Sequence, residues 1–117
     1  MLTTIGDVRD RLYLDELEDS EILSHLQRAD RDFRGVVFDD SDDNFDEKEA
    51  VSCKAIYYLA PLLWQRIQQK VNEYDETLQT FTDVEKFQEY WLDRAMSVPS
   101  KKEDGSVVKV GIRWAAV

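Results

Sequence analysis

"FDEKEAVSCKAIYYLAPLLWQRI", Phe45 to Ile67, decides the fold. Cys53, Ile56, Ala60, Leu63, Ile67, Val71 and Tyr74 recur three and four residues apart, the period of one helix face. Tyr58, Leu59, Leu62 and Trp64 put apolar surface on the other faces as well, so this helix is expected to be central or to pack on a neighbouring subunit. Asp46, with Glu49 three residues on, supplies the start signal, and acidic groups in a first turn suit the positive end of the helix dipole. Pro61 lacks an amide hydrogen and crowds the carbonyl of Tyr57, which predicts a bend near the middle.

Just upstream, the run 39–49 carries seven carboxylates and one lysine, a local charge of −6. A calcium loop would need oxygen ligands at positions 1, 3 and 5, a turn glycine at 6 and a glutamate at 12. Starting at Asp39 puts Asn44 at the glycine position and Ala50 at the end. Starting at Asp40 gives Phe45 and Val51, and starting at Asp42 gives Glu47 and Cys53. No register closes, so a solvated, self-repelling loop between helices is expected, and no metal site.

Three further helices flank this one. Thr4 and Asp7 have the form of a capping box ahead of Ile5, Val8 and Leu12, predicting a helix over Ile5 to Leu12. Asp19 or Ser20 can cap a second helix with Ile22, Leu26, Ala29, Phe33 and Val36 on one face, ending near Gly35. Thr82 and Glu85 form another capping box before Val84, Phe87, Trp91, Ala95 and Val98, and Pro99 stops a helix expected from Asp83 to about Val98.

After the turn-rich "PSKKEDGS", the stretch "VVKVGIRW" alternates. Val108, Val110, Ile112 and Trp114 share one face; Val107, Lys109, Gly111 and Arg113 share the other. No second strong strand pattern is visible, so the tail is expected to be an arm that lies on the helices or pairs with another chain, with Val108, Val110, Ile112 and Trp114 as partner-binding residues. The expected architecture is all-α, a small bundle of about four helices with a C-terminal extended arm. Residues 1–98 form the helical domain and 99–117 the linker and arm.

Composition narrows the function. The net charge of −10 over 117 residues, with +2 confined to the part from Pro99 onward, disfavours binding to a phosphate backbone. Cys53 is the single cysteine, which rules out an internal disulfide and fits a reduced setting. The N-terminus lacks a basic-then-apolar pattern and the longest apolar run, "AIYYLAPLLW", is ten residues; neither a signal peptide nor a membrane span is expected. The four glycines, at 6, 35, 105 and 111, form no phosphate loop, zinc-ligand spacings are absent, and a Cys53–His25 nucleophile pair would need residues from two different helices to meet. No catalytic residue and no cofactor is expected. Trp64, Trp91, Trp114, Tyr57 and Tyr58 are many for a small helical domain, which fits core packing for some and an assembly contact for others.

The opening "MLTTIGDVRDRLYLDELEDSEILSHLQRADRDFRGVV", through Leu2, Thr3, Thr4, Asp7, Val8, Leu12, Leu23, Leu26 and Ala29, resembles the small head-to-tail connector (adaptor) proteins of long-tailed bacteriophages. The acidic loop running into "FDEKEAVSCKAIYYLAPLLWQRI" is a second point of similarity; together they span about residues 2–70. The resemblance implies a non-enzymatic virion neck protein assembled in the host cytoplasm. It implies a ring of copies, commonly a dodecamer, beneath the portal protein, which extends the DNA channel and seats the next neck (stopper) or tail protein. DNA would then be non-specific cargo, and no membrane would be involved. The competing reading is a small intracellular acidic helical domain with a protein-binding or regulatory role.

Overall fold

The computed structural model describes residues 2–12, 15–39, 44–69, 84–101 and 106–111. Among them are four helices, α1 (Ile5–Arg11), α2 (Asp19–Asp32), α3 (Phe45–Gln69) and α4 (Val84–Met96), followed by two short strands, β1 (Pro99–Lys101) and β2 (Val107–Lys109). The expected small helical bundle is the observed fold, and α3 is its central element, packed on α1, α2 and α4.

Local chemistry accounts for the helix ends. At α1 the Thr4 N–H donates to Asp7 Oδ2 at 2.8 Å while the Asp7 N–H donates to Thr4 Oγ1 at 3.3 Å, so each residue satisfies an orphan amide of the other. The N-cap of α2 is Glu18, not Asp19 or Ser20. Glu21 reaches back to accept from the Glu18 N–H at 3.0 Å, and Asp19, now the first helical residue, is held by Arg9 at 2.7 Å. The helix closes at Phe33 and the chain reverses at Gly35, whose φ of +86° belongs to the left-handed region that glycine enters without a Cβ clash.

The start of α3 falls at Phe45, one residue before the acidic signal, because Asn44 takes a left-handed φ of 59° and its carbonyl accepts from the Lys48 N–H at 3.0 Å. From Ala50 to Ala60 nearly every turn is buried, with Ala50, Val51, Cys53, Ala55, Ile56, Leu59 and Ala60 fully enclosed. An apolar girdle of this kind requires neighbours on several sides. The helix runs through Pro61, which is exposed. The missing Pro61 N–H would leave the Tyr57 carbonyl without its helical donor, and Gln88 of α4 supplies one from Nε2 at 3.2 Å. Trp91 and Ala95 of α4 close the core on this side. The expected cap residue Thr82 and the expected first helical residue Asp83 lie outside the described residues.

The C-terminal segment corrects the sequence reading. It has a partner in its own chain: β2 pairs antiparallel with β1, in the register Pro99↔Lys109, Ser100↔Val108 and Lys101↔Val107. On its other side β1 meets residues 37–39 through an antiparallel bridge, Phe38↔Ser100, flanked by bonds from the Lys101 N–H to Val37 O at 2.7 Å and from the Asp39 N–H to Pro99 O at 3.3 Å. Val110 is fully buried in the same core as Ile22 and Ile56, and its N–H donates to Val98 O at 3.0 Å. One core therefore spans both the helices and the described end of the tail. The alternation was legible over 107–109, although the strand ends at Lys109 and residues 110–111 are helical; "PSK", with a proline, a serine and a lysine, shows no strand pattern, so the partner of β2 was not legible.

Candidate functional site

The charged side chains of α3 are used to hold the other helices. Glu49 is the hub. Its Oε2 accepts from Arg11 Nη2 of α1 at 3.2 Å, its Oε1 accepts from Arg94 Nε of α4 at 2.7 Å, and the Cys53 thiol donates to Oε1 at 3.0 Å. Arg11 also donates to the Asp7 carbonyl at 2.8 Å, which fixes the guanidinium against its own helix. Desolvation alone would raise the Glu49 carboxyl; the Cys53 hydrogen bond and the charges of Arg11 and Arg94 outweigh it and hold its pKa below the ordinary carboxylate value. The same burial, with the Glu49 carboxylate beside it, pushes the Cys53 pKa up, so the sulfur is a protonated thiol at neutral pH and a hydrogen-bond donor. Cys53 is thus engaged with Glu49. His25 lies on α2, where burial and the nearby Arg28 lower its pKa.

Two further clamps tie α3 to α2. Arg66 binds Glu21 through both guanidinium Nη atoms, at 3.0 and 2.6 Å, and donates to the Glu16 carbonyl at 3.1 Å. The hydrogen bond from Arg66 holds the Glu21 carboxyl low. About two turns of α3 nearer its start, Tyr58 donates its hydroxyl to Asp32, with Arg28 stacked 3.9 Å above its ring and Lys54 Nζ 4.0 Å from the same carboxylate. Burial and the Asp32 contact push the Tyr58 phenol up to about 12. These arrangements do mechanical work: each fixes one helix on another.

Of the four residues expected to bind a partner, Val110 is buried in the core of its own chain and Val108 is half-buried beside it, while Ile112 and Trp114 lie outside the described residues. The exposed side chains of β2 are those of the opposite face, Val107 and Lys109. For the described residues 107–110 the period is as read, but Val108 and Val110 turn toward their own chain. The lysine at 109 was the available signal, because a charged residue in an alternating strand marks the wet face. Among the described residues, the other large apolar side chains left in solvent are Leu2, Leu23, Val37, Phe45 and Tyr90. Phe45 borders a shallow groove with Arg94, Val98 and Pro99. Trp91 is core, and Trp64, Tyr57 and Tyr58 pack half-buried against it.

The acidic run lies between α2 and α3, with 40–43 outside the described residues; among the described residues no group of three or more His, Cys, Asp or Glu side chains is placed to hold a metal ion. Millimolar calcium is expected to change the melting temperature no more than monovalent salt of equal ionic strength does. A saturable stabilisation in a calcium titration would show that the loop is a site. No described helix is long and apolar enough to cross a membrane.

Comparison of the chain with protein-family models, with curated proteins and with solved structures yields no match.

Proposed function

We propose that the chain is a structural subunit of a bacteriophage neck, a head-to-tail connector that assembles into a ring beneath the portal, continues the DNA channel and seats the next neck or tail protein. The observation that carries the reading is the role of the residues on which the resemblance rests. Thr4 and Asp7 close the cap of α1, Val8 is buried under that helix, and Leu26 and Ala29 form the buried face of α2. These five positions therefore belong to the framework of the fold, while Leu2 and Leu23 of the same pattern are exposed. Two properties suit the role. A net charge of −10 disfavours adhesion of DNA to a channel wall, and Leu2, Leu23, Val37, Phe45, Tyr90 and Val107 leave apolar surface for contacts between proteins.

The test is assembly with a portal. Purified chain mixed with the portal protein of a long-tailed phage whose neck gene it replaces is expected to give a complex with a mass of one portal plus a ring of copies, visible as an added annulus by electron microscopy. A chain that stays unassociated with the portal, and restores no tail attachment in a neck-deficient lysate, would overturn the proposal.

A further inference from the structure

Among the described residues the three-stranded arrangement 37–39, β1, β2 has two outer edges, and their hydrogen-bonding phase is set by the contacts within the chain. Because the Val110 N–H bonds to Val98 O, the pairs Val98–Val110 and Ser100–Val108 face each other, and the polar backbone groups of Val107 and Lys109 point away from β1. On the opposite edge the bonds Lys101 N–H to Val37 O and Asp39 N–H to Pro99 O turn the N–H and C=O of Phe38 outward. Each junction is antiparallel, so 37–39 and β2 run in the same direction.

These phases are complementary. In a parallel ladder one residue donates to the carbonyl of one neighbour and accepts from the N–H two residues further along. A second copy displaced along the sheet presents its 37–39 segment parallel to β2, and Phe38 then fits between Val107 O and Lys109 N–H. That register decides the side chains too. It puts Val37 of the next copy beside Val107, and Asp39 of the next copy beside Lys109. In the single chain Val37 is 56% and Val107 50% exposed, and Lys109 is exposed. One register thus covers two exposed valines and sets an acid against a base.

We infer that copies of this chain join edge to edge, β2 of one subunit accepting residues 37–39 of the next as a parallel strand, with Val107–Val37 and Lys109–Asp39 as the cross-subunit pairs. The two edges differ, so the contact is head-to-tail, the kind that makes a ring when the rotation between copies closes. Two backbone bonds and two side-chain pairs make each junction weak, and ring closure multiplies them. The inference rests on the proposed self-assembly and adds the surface through which it occurs.

Cross-linking tests it on the full chain. The V37C and V107C variants, mixed and oxidised, are expected to give mainly the mixed V37C–V107C dimer, since Cys53 is buried. Sedimentation over a concentration series is expected to show wild-type self-association weakened at least tenfold by K109P, which removes the outward N–H, and by K109E, which sets like charges together. The Lys109 N–H is not used in the hairpin, so K109P should keep the wild-type melting curve; K109E alters only an exposed side chain and guards against misfolding of the proline variant. Self-association unchanged in both variants, or V107C–V107C dimers in place of mixed ones, would overturn the edge assignment and leave the ring reading standing. A wild-type chain that neither self-associates nor cross-links, alone or with portal, would overturn both.

Discussion

Replacing Glu49 by glutamine is expected to destabilise the subunit by about 2 to 3 kcal/mol, read as a fall of about 1 M in the urea midpoint. Glutamine keeps the shape and one carbonyl oxygen but removes the charge that Arg11 and Arg94 share. Arg11 is 12% exposed at its side chain and would keep an unbalanced charge where water reaches it poorly. Arg94, 38% exposed, can recover part of its hydration, which is why the figure lies at the low end for a broken buried pair. The pH dependence has a definite sign. The folded pKa of Glu49 lies below its unfolded value, so its contribution is fully present above about pH 5, where an unfolded glutamate is ionised, and is lost as pH falls through the folded pKa. The gap between wild type and E49Q should therefore be widest at neutral pH and shrink on acidification. An equal midpoint for the two proteins at pH 7 would show that the hub contributes nothing net.

Ending the chain at Ser106 is expected to cost the subunit about 3 kcal/mol or more, with a melting temperature lower by about 10 °C or more in a far-ultraviolet scan. The sequence reading assigned residues 107–114 to assembly more than to the fold of one subunit. The position of Val110 reverses this for the described part of the tail. Its side chain is fully enclosed, and burial of a valine is worth about 1.5 to 3 kcal/mol before ordering costs. Truncation also uncovers Val98 and Ser100, which are 5% and 0% exposed, and strips Ser100 Oγ of its acceptor, Val108 O at 3.0 Å. A truncated chain that melts with the wild-type midpoint would return the tail to a purely intermolecular role.

Much of the fold was legible because its causes are local. A capping box closes within four residues, and Thr4 and Asp7 close theirs as read. Helical periodicity needs no partner to be seen, and Ile22, Leu26 and Ala29 turned their common face inward. Cys53, Ile56 and Ala60 share one face of α3 and Leu59 lies on another, all of them buried, and apolar residues on more than one face marked the helix as central, or as packed on another subunit, before any neighbour was known.

What only the tertiary structure decided involves residues far apart in sequence. Seven carboxylates crowd residues 39–49, and nothing in their order marks the last, Glu49, as more than part of a helix start. Glu49 becomes the hub because the fold brings Arg11, 38 positions earlier, and Arg94 to its two oxygens. Likewise "PSK" carries no strand propensity of its own and becomes β1 because Val37 and Asp39 on one side and β2 on the other satisfy its backbone. The sequence by itself determined the helices, since helical hydrogen bonds and faces are local; the charge hub, the strand pairing and the identity of the outward edge required the chain to be closed on itself, because their partners are adjacent only in space.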